Sequence, residues 1–358
     1  MSTPRAKVES GVANRFPHLD GFRGVAALMV VAFHAQTDVF PGANVGVDLF
    51  FVLSGFLITG LLASEFEASG RIKLSAFYVR RLLRLMPALM ALVLVKGLIL
   101  GLHGESLRSY VPAASEALTY TTNWFAAAGH VGALNLTWSL GVEEQFYLAW
   151  PVTILLLLKR GEVVRATAAV IVLALCAHVA ALLCLTGDAN FYLPLSRFDE
   201  MLAGGLLAVC LREAATAKRV ARVCSPALSW LAALAIGIVC CVRPASTWSG
   251  AGLRAVTAVG SVLIIGSVMS DSPNVLRKLL SVRPLVWLGS RSYSLYLFHL
   301  IVIDEVVAAG LNLRPVLGLP LILALSLLVA DANFRLVERP GLLLKERLSQ
   351  GSRPAAAQ

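Results

Sequence analysis

The chain has 358 residues, of which 58% are hydrophobic and only 15% are charged, and its mean hydropathy is +0.76. Ordinary soluble domains carry about 25% charged residues, so this composition excludes a water-soluble globular protein and indicates an integral membrane protein. The formal net charge of +10 is compatible with a nucleic-acid partner, but the basic residues cluster between apolar segments. We therefore expect a lipid bilayer around the chain and no nucleic-acid partner.

Ten apolar segments follow one another along the chain. Most approach the roughly 20 residues that a helix needs to cross a bilayer. They predict an all-α fold, a polytopic helical bundle with about ten transmembrane helices, in one membrane domain over residues 1–345. A short disordered tail is predicted over residues 346–358. The segments are 22–39, 45–63, 87–103, 136–158, 163–185, 197–212, 227–242, 251–270, 284–306 and 315–335.

The basic residues predict the orientation of this bundle. If the N-terminus is cytosolic, the inner tails and loops hold 23 Lys and Arg residues and the outer loops and helix ends hold five. Cytosolic loops of membrane proteins carry such an excess of positive charge. The sequence therefore predicts that both termini are cytosolic. The six cysteines lie in or beside apolar segments without metal-ligand spacing, so we expect no metal site.

Two ionisable residues stand out in the first apolar segment. Arg23 and His34 are eleven residues apart, which brings both side chains to one helix face, about 16 Å apart along the axis. The guanidinium is permanently charged, whereas an imidazole exchanges protons near neutral pH. Ionisable side chains are costly inside a membrane, so this pair is a functional candidate. The alternative is that His34 only forms a hydrogen bond with a neighbouring helix.

Six motifs occur in order over most of the chain: His18–Gly24 followed by His34, Gly46–Ile58, Phe77–Pro87, Trp138–Tyr147, Tyr293–His299 and Val337–Pro340. Together they resemble the acyltransferase-3 family of integral membrane O-acyltransferases. The resemblance implies that an acyl group, often acetyl, moves from a coenzyme A thioester to a hydroxyl group. The implied acceptor is a carbohydrate, a lipid or a related molecule.

The chemistry of acyl transfer suggests roles for the intramembrane residues. A base must take the hydroxyl proton as the oxygen attacks, and His34 fits that role. A carboxylate can hold the imidazole in one tautomer and stabilise the imidazolium. By helix depth, Glu144 is our first candidate for this carboxylate and Asp48 our second. Alternatively, Asp48 caps a helix, and Glu143 and Glu144 form a buried pair bonded to Arg or Tyr.

Arginines before the third segment predict the donor site. Arg80 and Arg84 are four residues apart and face together, whereas Arg81 is expected to point elsewhere. Guanidinium groups match phosphate oxygens. With Arg23, they are the predicted binding site for acyl-CoA, with acetyl-CoA the expected donor. Alternatively, topology and anionic lipid headgroups alone account for arginines here.

Further side chains are candidates for binding the acceptor, which we expect to be a carbohydrate, a glycolipid or another hydroxyl-bearing molecule. They share a position near the outer half of a predicted helix or within one of the six motifs. The aromatic members are equally compatible with interfacial or packing roles. The candidates are Trp138, Glu143, Tyr147, Tyr293 and His299.

These features predict an enzyme of the plasma (inner) membrane that transfers an acyl group from cytosolic acyl-CoA to a hydroxyl of a cell-envelope carbohydrate or glycoconjugate. The alternative is a secondary transporter or flippase of a sugar-lipid that couples protons through His34, Glu144 and Asp48. Many transporters have duplicated halves with matching interrupted helices. We find no such repeat in the sequence.

Overall fold

A computed structural model describes residues 16–185, 189–270, 273–310 and 315–343, and the predicted tail over 346–358 lies outside these ranges. The described residues form sixteen α-helices and no strand, as the all-α prediction requires. The helices of the first half are α1 (Pro17–Ala35), α2 (Gly46–Ser69), α3 (Leu74–Leu102), α4 (Leu107–Leu118), α5 (Thr122–Ala127), α6 (Trp138–Arg160) and α7 (Val163–Cys184). Those of the second half are α8 (Ala189–Tyr192), α9 (Phe198–Cys210), α10 (Ala214–Val223), α11 (Pro226–Cys240), α12 (Thr247–Met269), α13 (Val275–Leu280), α14 (Arg283–Ser290), α15 (Ser292–Ala308) and α16 (Pro315–Asn333).

Five described helices are long and apolar enough to cross a membrane. They are α2, α3, α7, α12 and α16, the last with its continuation to Leu343. A sixth crossing results if α10 and α11, which meet at an angle of 60°, count as one bent span. The chain is thus a multi-pass helical membrane protein. The structure supports fewer crossings by length and composition than the ten that the sequence predicts.

The remaining predicted segments are also helical, but they are short or polar. Helix α9 has 13 residues and α15 has 17, fewer than the roughly 20 that a straight crossing requires. Helix α1 contains Asp20 and Arg23, and α6 contains Glu143 and Glu144. These charged residues lower the hydropathy of the two helices that carry much of the predicted site.

The ninth predicted segment is not one continuous helix, because α14 ends and α15 begins on either side of Arg291. The Arg291 guanidinium lies 4.2 Å from the ring centroid of Trp287 and 4.7 Å from that of Phe334. It also forms an ion pair with Asp331 at 2.5 Å. Aromatic rings and a carboxylate thus stabilise a cation at the break.

Helix α2 lies at the centre of the bundle and contacts α1, α6, α9 and α12. Its contact with α9 depends on two glycines. A Cβ on Gly55 would collide with the backbone of Met201, and one on Gly204 would collide with the backbone of Val52. Small residues allow such close helix approach in membranes. The two glycines therefore fix the distance between the central helix and α9.

Candidate active site

A cavity opens among α1, α2, α3, α6 and α15. We call it the basic cavity, because its lining contains three arginines and one carboxylate. Serine and tyrosine hydroxyls complete the polar lining. The polar lining residues are Arg23, Ser54, Arg81, Arg84, Ser139, Glu143, Tyr147, Ser292, Tyr293 and Tyr296.

The arginines come from the N-terminal halves of α1 and α3. Arg23 forms an ion pair with Asp20 at 3.6 Å. The guanidinium of Arg81 lies 3.6 Å from the ring centroid of Tyr147, and its buried Nε has no hydrogen-bond partner among the described residues. Unpaired donors on a cavity wall are available to an anionic ligand. The lining is therefore suited to phosphate.

The structure corrects the predicted choice of arginine. Arg80 does not line the basic cavity but forms an ion pair with Glu65 at 3.5 Å. Arg81 and Arg84, three residues apart, line it together. Positions three and four apart are both neighbours on a helix, so spacing alone cannot show which pair faces inward. The rotation of α3 about its own axis decides which pair faces inward. In the structure Leu82 and Leu94 are exposed on another face of the helix.

His34 lies near the C-terminal end of α1, and its closest polar partner is another histidine. His34 Nδ1 is 3.1 Å from His299 Nε2 and 3.0 Å from the carbonyl oxygen of Val30. His299 Nδ1 is 2.6 Å from the carbonyl oxygen of Tyr296. A carbonyl only accepts, so Nδ1 of each imidazole donates and His299 Nε2 is an acceptor. His34 Nε2 is then left with a lone pair.

A carboxylate was expected to orient His34, and neither candidate contacts it within the described residues. Asp48 instead accepts a hydrogen bond from Arg197 at 2.8 Å, and both side chains are buried. Glu144 Oε1 is buried without a hydrogen-bond partner in the same described part. Asp48 is held by Arg197 because a fully buried arginine requires a carboxylate partner.

Tyr296 connects the basic cavity to the histidine pair. Its side chain lines the cavity and donates to the carbonyl oxygen of Leu136 at 2.7 Å, next to Ser139 Oγ at 2.6 Å. Its carbonyl oxygen accepts from His299, one helical turn further along α15. The cavity that holds the arginines thus reaches to within one turn of the His34 partner.

The candidate acceptor residues separate into two groups. Glu143, Tyr147 and Tyr293 line the basic cavity, and Glu143 accepts a hydrogen bond from Ser54 at 2.6 Å. Trp138 is buried, and its ring centroid lies 4.9 Å from that of Phe191. His299 is fully buried. Neither of these last two offers a surface to an acceptor in this structure.

Sequence reasoning did not select five polar residues of the cavity wall: Ser54, Arg81, Ser139, Ser292 and Tyr296. Tyr296 had a usable signal, because it lies three residues after Tyr293 and three before His299, on one helical face. Arg81 had the equivalent signal relative to Arg84. Ser54 carries no pattern of its own, since its role depends on Glu143 in a distant helix.

The fold and site together define a multi-pass helical membrane protein with a basic cavity inside the bundle. The acyltransferase domain family matches residues 16–332. The chain therefore belongs to the acyltransferase-3 family, which confirms the prediction from the six motifs.

Curated relatives agree with this assignment. The chain is 29% identical over 347 residues to the peptidoglycan O-acetyltransferase OatA of Listeria monocytogenes, covering 90% of this chain and 55% of that protein. It is 30% identical over 342 residues to the O-acetyltransferase OatA of Staphylococcus aureus strain NCTC 8325, covering 90% and 57%. The chain thus spans a little over half the length of these relatives. No solved structure matches it significantly.

Proposed function

We propose that this protein is a membrane O-acetyltransferase that moves an acetyl group from cytosolic acetyl-CoA to a hydroxyl of a cell-envelope carbohydrate, with peptidoglycan as the first candidate. One observation carries the proposal: a single cavity extends from three guanidinium groups to Tyr296, one turn from the His299–His34 pair. The relative from Listeria monocytogenes is named a peptidoglycan O-acetyltransferase, which supports this acceptor class.

The donor binds in the basic cavity. Its phosphates pair with Arg23, Arg81 and Arg84, whose positive charge exceeds that of the single lining carboxylate. The acyl arm extends from there toward Tyr296. Helix α1 spans the same route, because Arg23 and His34 are about 16 Å apart along its axis.

His34 is the general base of the transfer. The acceptor oxygen attacks the thioester carbonyl carbon while its proton passes to His34 Nε2. The C–S bond then breaks, an ester C–O bond remains, and the proton passes from His34 to the departing thiolate. His299 holds the proton of His34 on Nδ1 through the 3.1 Å hydrogen bond, so that Nε2 stays available as the acceptor. Glu143, Tyr147 and Tyr293 contact the bound substrate along the cavity wall.

The proposal includes an orientation. The N-terminal ends of α1 and α3, with their arginines, face the cytosol of a plasma (inner) membrane, together with both chain termini. The ten apolar segments form one membrane-embedded acyltransferase domain over residues 1–345, in which the shorter helices pack among those long enough to cross. The excess of basic residues in the assigned inner loops supports this orientation.

A reaction with purified protein in lipid nanodiscs tests the proposal. We expect thiol release from acetyl-CoA that depends on an added N-acetylglucosamine tetramer or peptidoglycan fragment, and mass spectrometry should detect the acetylated sugar. Arg80→Ala is the matched control for variants of the cavity arginines, because Arg80 lies outside the cavity. Absence of thiol release, together with counterflow of a labelled sugar-lipid in vesicles, would replace this proposal with the transporter.

A further inference from the structure

A second cavity, of about 210 Å³, lies under the loops at the C-terminal end of α1. We call it the loop cavity. Its walls come from the α1–α2 loop, α8 and the start of α12, and it shares no lining residue with the basic cavity. The loops above it are tied together, since Gly42 N donates to Cys240 O at 3.0 Å and Arg243 pairs with Asp38 at 3.3 Å. The loop cavity is thus a built site and not a gap between mobile segments.

Two buried polar side chains on its wall lack part of their hydrogen bonding. Asn190 is 1% exposed, and its Oδ1 has no partner among the described residues, although its amide donates to Leu185 O at 2.7 Å. Arg254 is 8% exposed, and its Nε likewise has no hydrogen-bond partner in that part of the chain. Buried polar atoms normally find a partner. Two residues of the cavity wall thus each carry a polar atom, one acceptor and one donor, that lacks a protein partner among the described residues.

The charge around Arg254 selects the class of ligand. Glu200 Oε1 lies 4.0 Å from Arg254 Nε, and His178 Nε2 lies 3.4 Å from Arg254 Nη2. Behind these groups, two buried carboxylates and one half-buried carboxylate are close to two guanidiniums. The positive charge of Arg254 is thus already balanced, and an anionic ligand gains little. The residues of this network are Asp48, Asp199, Glu200, Arg197, Arg254 and His178.

A neutral ligand rich in hydroxyl groups suits the rest of the wall. Asn44 adds an amide, Thr247 adds a hydroxyl, and Phe191 adds an aromatic ring. Hydroxyl groups both donate and accept hydrogen bonds, and therefore match an acceptor on Asn190 as well as a donor on Arg254. The apolar face of a sugar ring can pack against Phe191. We infer that the loop cavity binds a neutral saccharide, as a subsite for part of the carbohydrate acceptor that the proposed function requires.

Filling the cavity tests this inference. A Cβ at Gly250, on the cavity wall, meets only ordinary contacts at 3.7 Å and 3.9 Å, so Gly250→Leu projects into the space from a tolerant position. Gly252, two residues further along the same helix, has no atom within 4 Å of a Cβ and does not line the cavity. Gly252→Leu is therefore the matched control.

The measurement is equilibrium binding of a labelled N-acetylglucosamine tetramer to full-length protein in nanodiscs. We expect the Kd to rise at least about tenfold in Gly250→Leu and Asn190→Leu and to stay unchanged in Gly252→Leu. The Kd for acetyl-CoA should stay unchanged in all three, and acetyl-CoA should not displace the tetramer. Size-exclusion chromatography and thermal unfolding establish that each variant is folded.

Two results would overturn the inference: no binding of the tetramer to the wild-type protein, or wild-type affinity in a folded Gly250→Leu variant. Failure of the proposed function would appear differently, as absence of acetyl transfer in a protein that still binds the tetramer in the loop cavity. The experiments therefore distinguish failure of the saccharide subsite from failure of the proposed acetyl transfer.

Discussion

At the scale of single residues, His34 and His299 have different roles in the proposed proton transfer. His34 is partly buried, with Nε2 left as a proton acceptor, whereas His299 is fully buried and uses both ring nitrogens. The accessible imidazole can therefore exchange a proton with a substrate, and the buried one can only position its neighbour. This division makes distinct predictions for the two positions.

His34→Gln should lower kcat by about 10²–10⁴-fold, the usual loss when acid–base catalysis is removed. Glutamine keeps much of the size and hydrogen bonding, so the protein should still insert into membranes and bind acetyl-CoA with normal Kd. Steady-state kinetics and acetyl-CoA binding check this. Wild-type turnover in the variant would remove His34 from the mechanism.

His299→Leu should lower kcat by about tenfold or more, equivalent to about 1.4 kcal/mol, because the Nδ1 proton of His34 loses its side-chain acceptor. The KM for acetyl-CoA should stay the same, since His299 does not line the basic cavity. His299→Gln presents an oxygen acceptor and should restore part of kcat. If both variants lower kcat by the same factor, the role of His299 is purely structural.

Arg81→Ala should raise the KM for acetyl-CoA about tenfold or more while changing kcat less, because it removes binding shared by ground and transition states. Arg81→Lys should reverse only part of this rise in KM, since an ammonium cannot present two parallel N–H donors. Arg80→Ala, whose arginine pairs with Glu65 outside the cavity, should leave KM unchanged. If the two alanine variants have the same KM, the arginines serve topology and not donor binding.

How far the site could be predicted differs from residue to residue. The sequence selects Arg23 and His34 as candidates because both lie on one helix with a readable spacing. Arg81 was rejected because the rotation of α3 depends on its neighbours and not on its own sequence. The partner of His34 lies 265 positions away, and no local pattern shows which of several ionisable groups meet across the bundle.

Among the helices, the contact between α2 and α9 depends on the absence of side chains. Gly55→Ala should destabilise the protein by about 1–3 kcal/mol, because its Cβ would collide with the Met201 backbone. Gly60→Ala on the same helix is the control, since no atom lies within 4 Å of its Cβ. Thermal unfolding in detergent compares them. Equal stability of the two variants would show that α2 and α9 can move apart without loss of stability.

Helix positions were predictable where a segment is long and apolar, as for α7 and α12. Helix lengths were less predictable, because packing against α2 allows α9 to end after 13 residues. The break at Arg291 was also missed. It depends on Trp287, Phe334 and Asp331, and the last two are remote in the chain.

For the molecule as a whole, the proposed orientation can be measured by labelling single cysteines in a variant that lacks the six native ones. Ser115→Cys in α4 should react with a membrane-impermeant thiol reagent on intact cells. Ser69→Cys at the end of α2 should react only after permeabilisation. Both serines are exposed. The reverse pattern would put the basic cavity arginines on the outer side.

The bundle as a whole follows from composition, since apolar segments in a lipid environment must be helical to satisfy their backbone. The two cavities do not follow from it. Each is lined from at least three separate parts of the chain, and only the packed structure shows which residues share a wall.

Arg23 and His34 belong to one unbroken helix, and this has a consequence for donor choice. The rise of the helix fixes how far a thioester must extend beyond its phosphates to meet the base. The proposed enzyme therefore selects donors by length as well as by charge. A short acetyl thioester without the nucleotide part can enter the same cavity, but nothing holds its reactive carbon beside His34. It should react slowly even at saturating concentration.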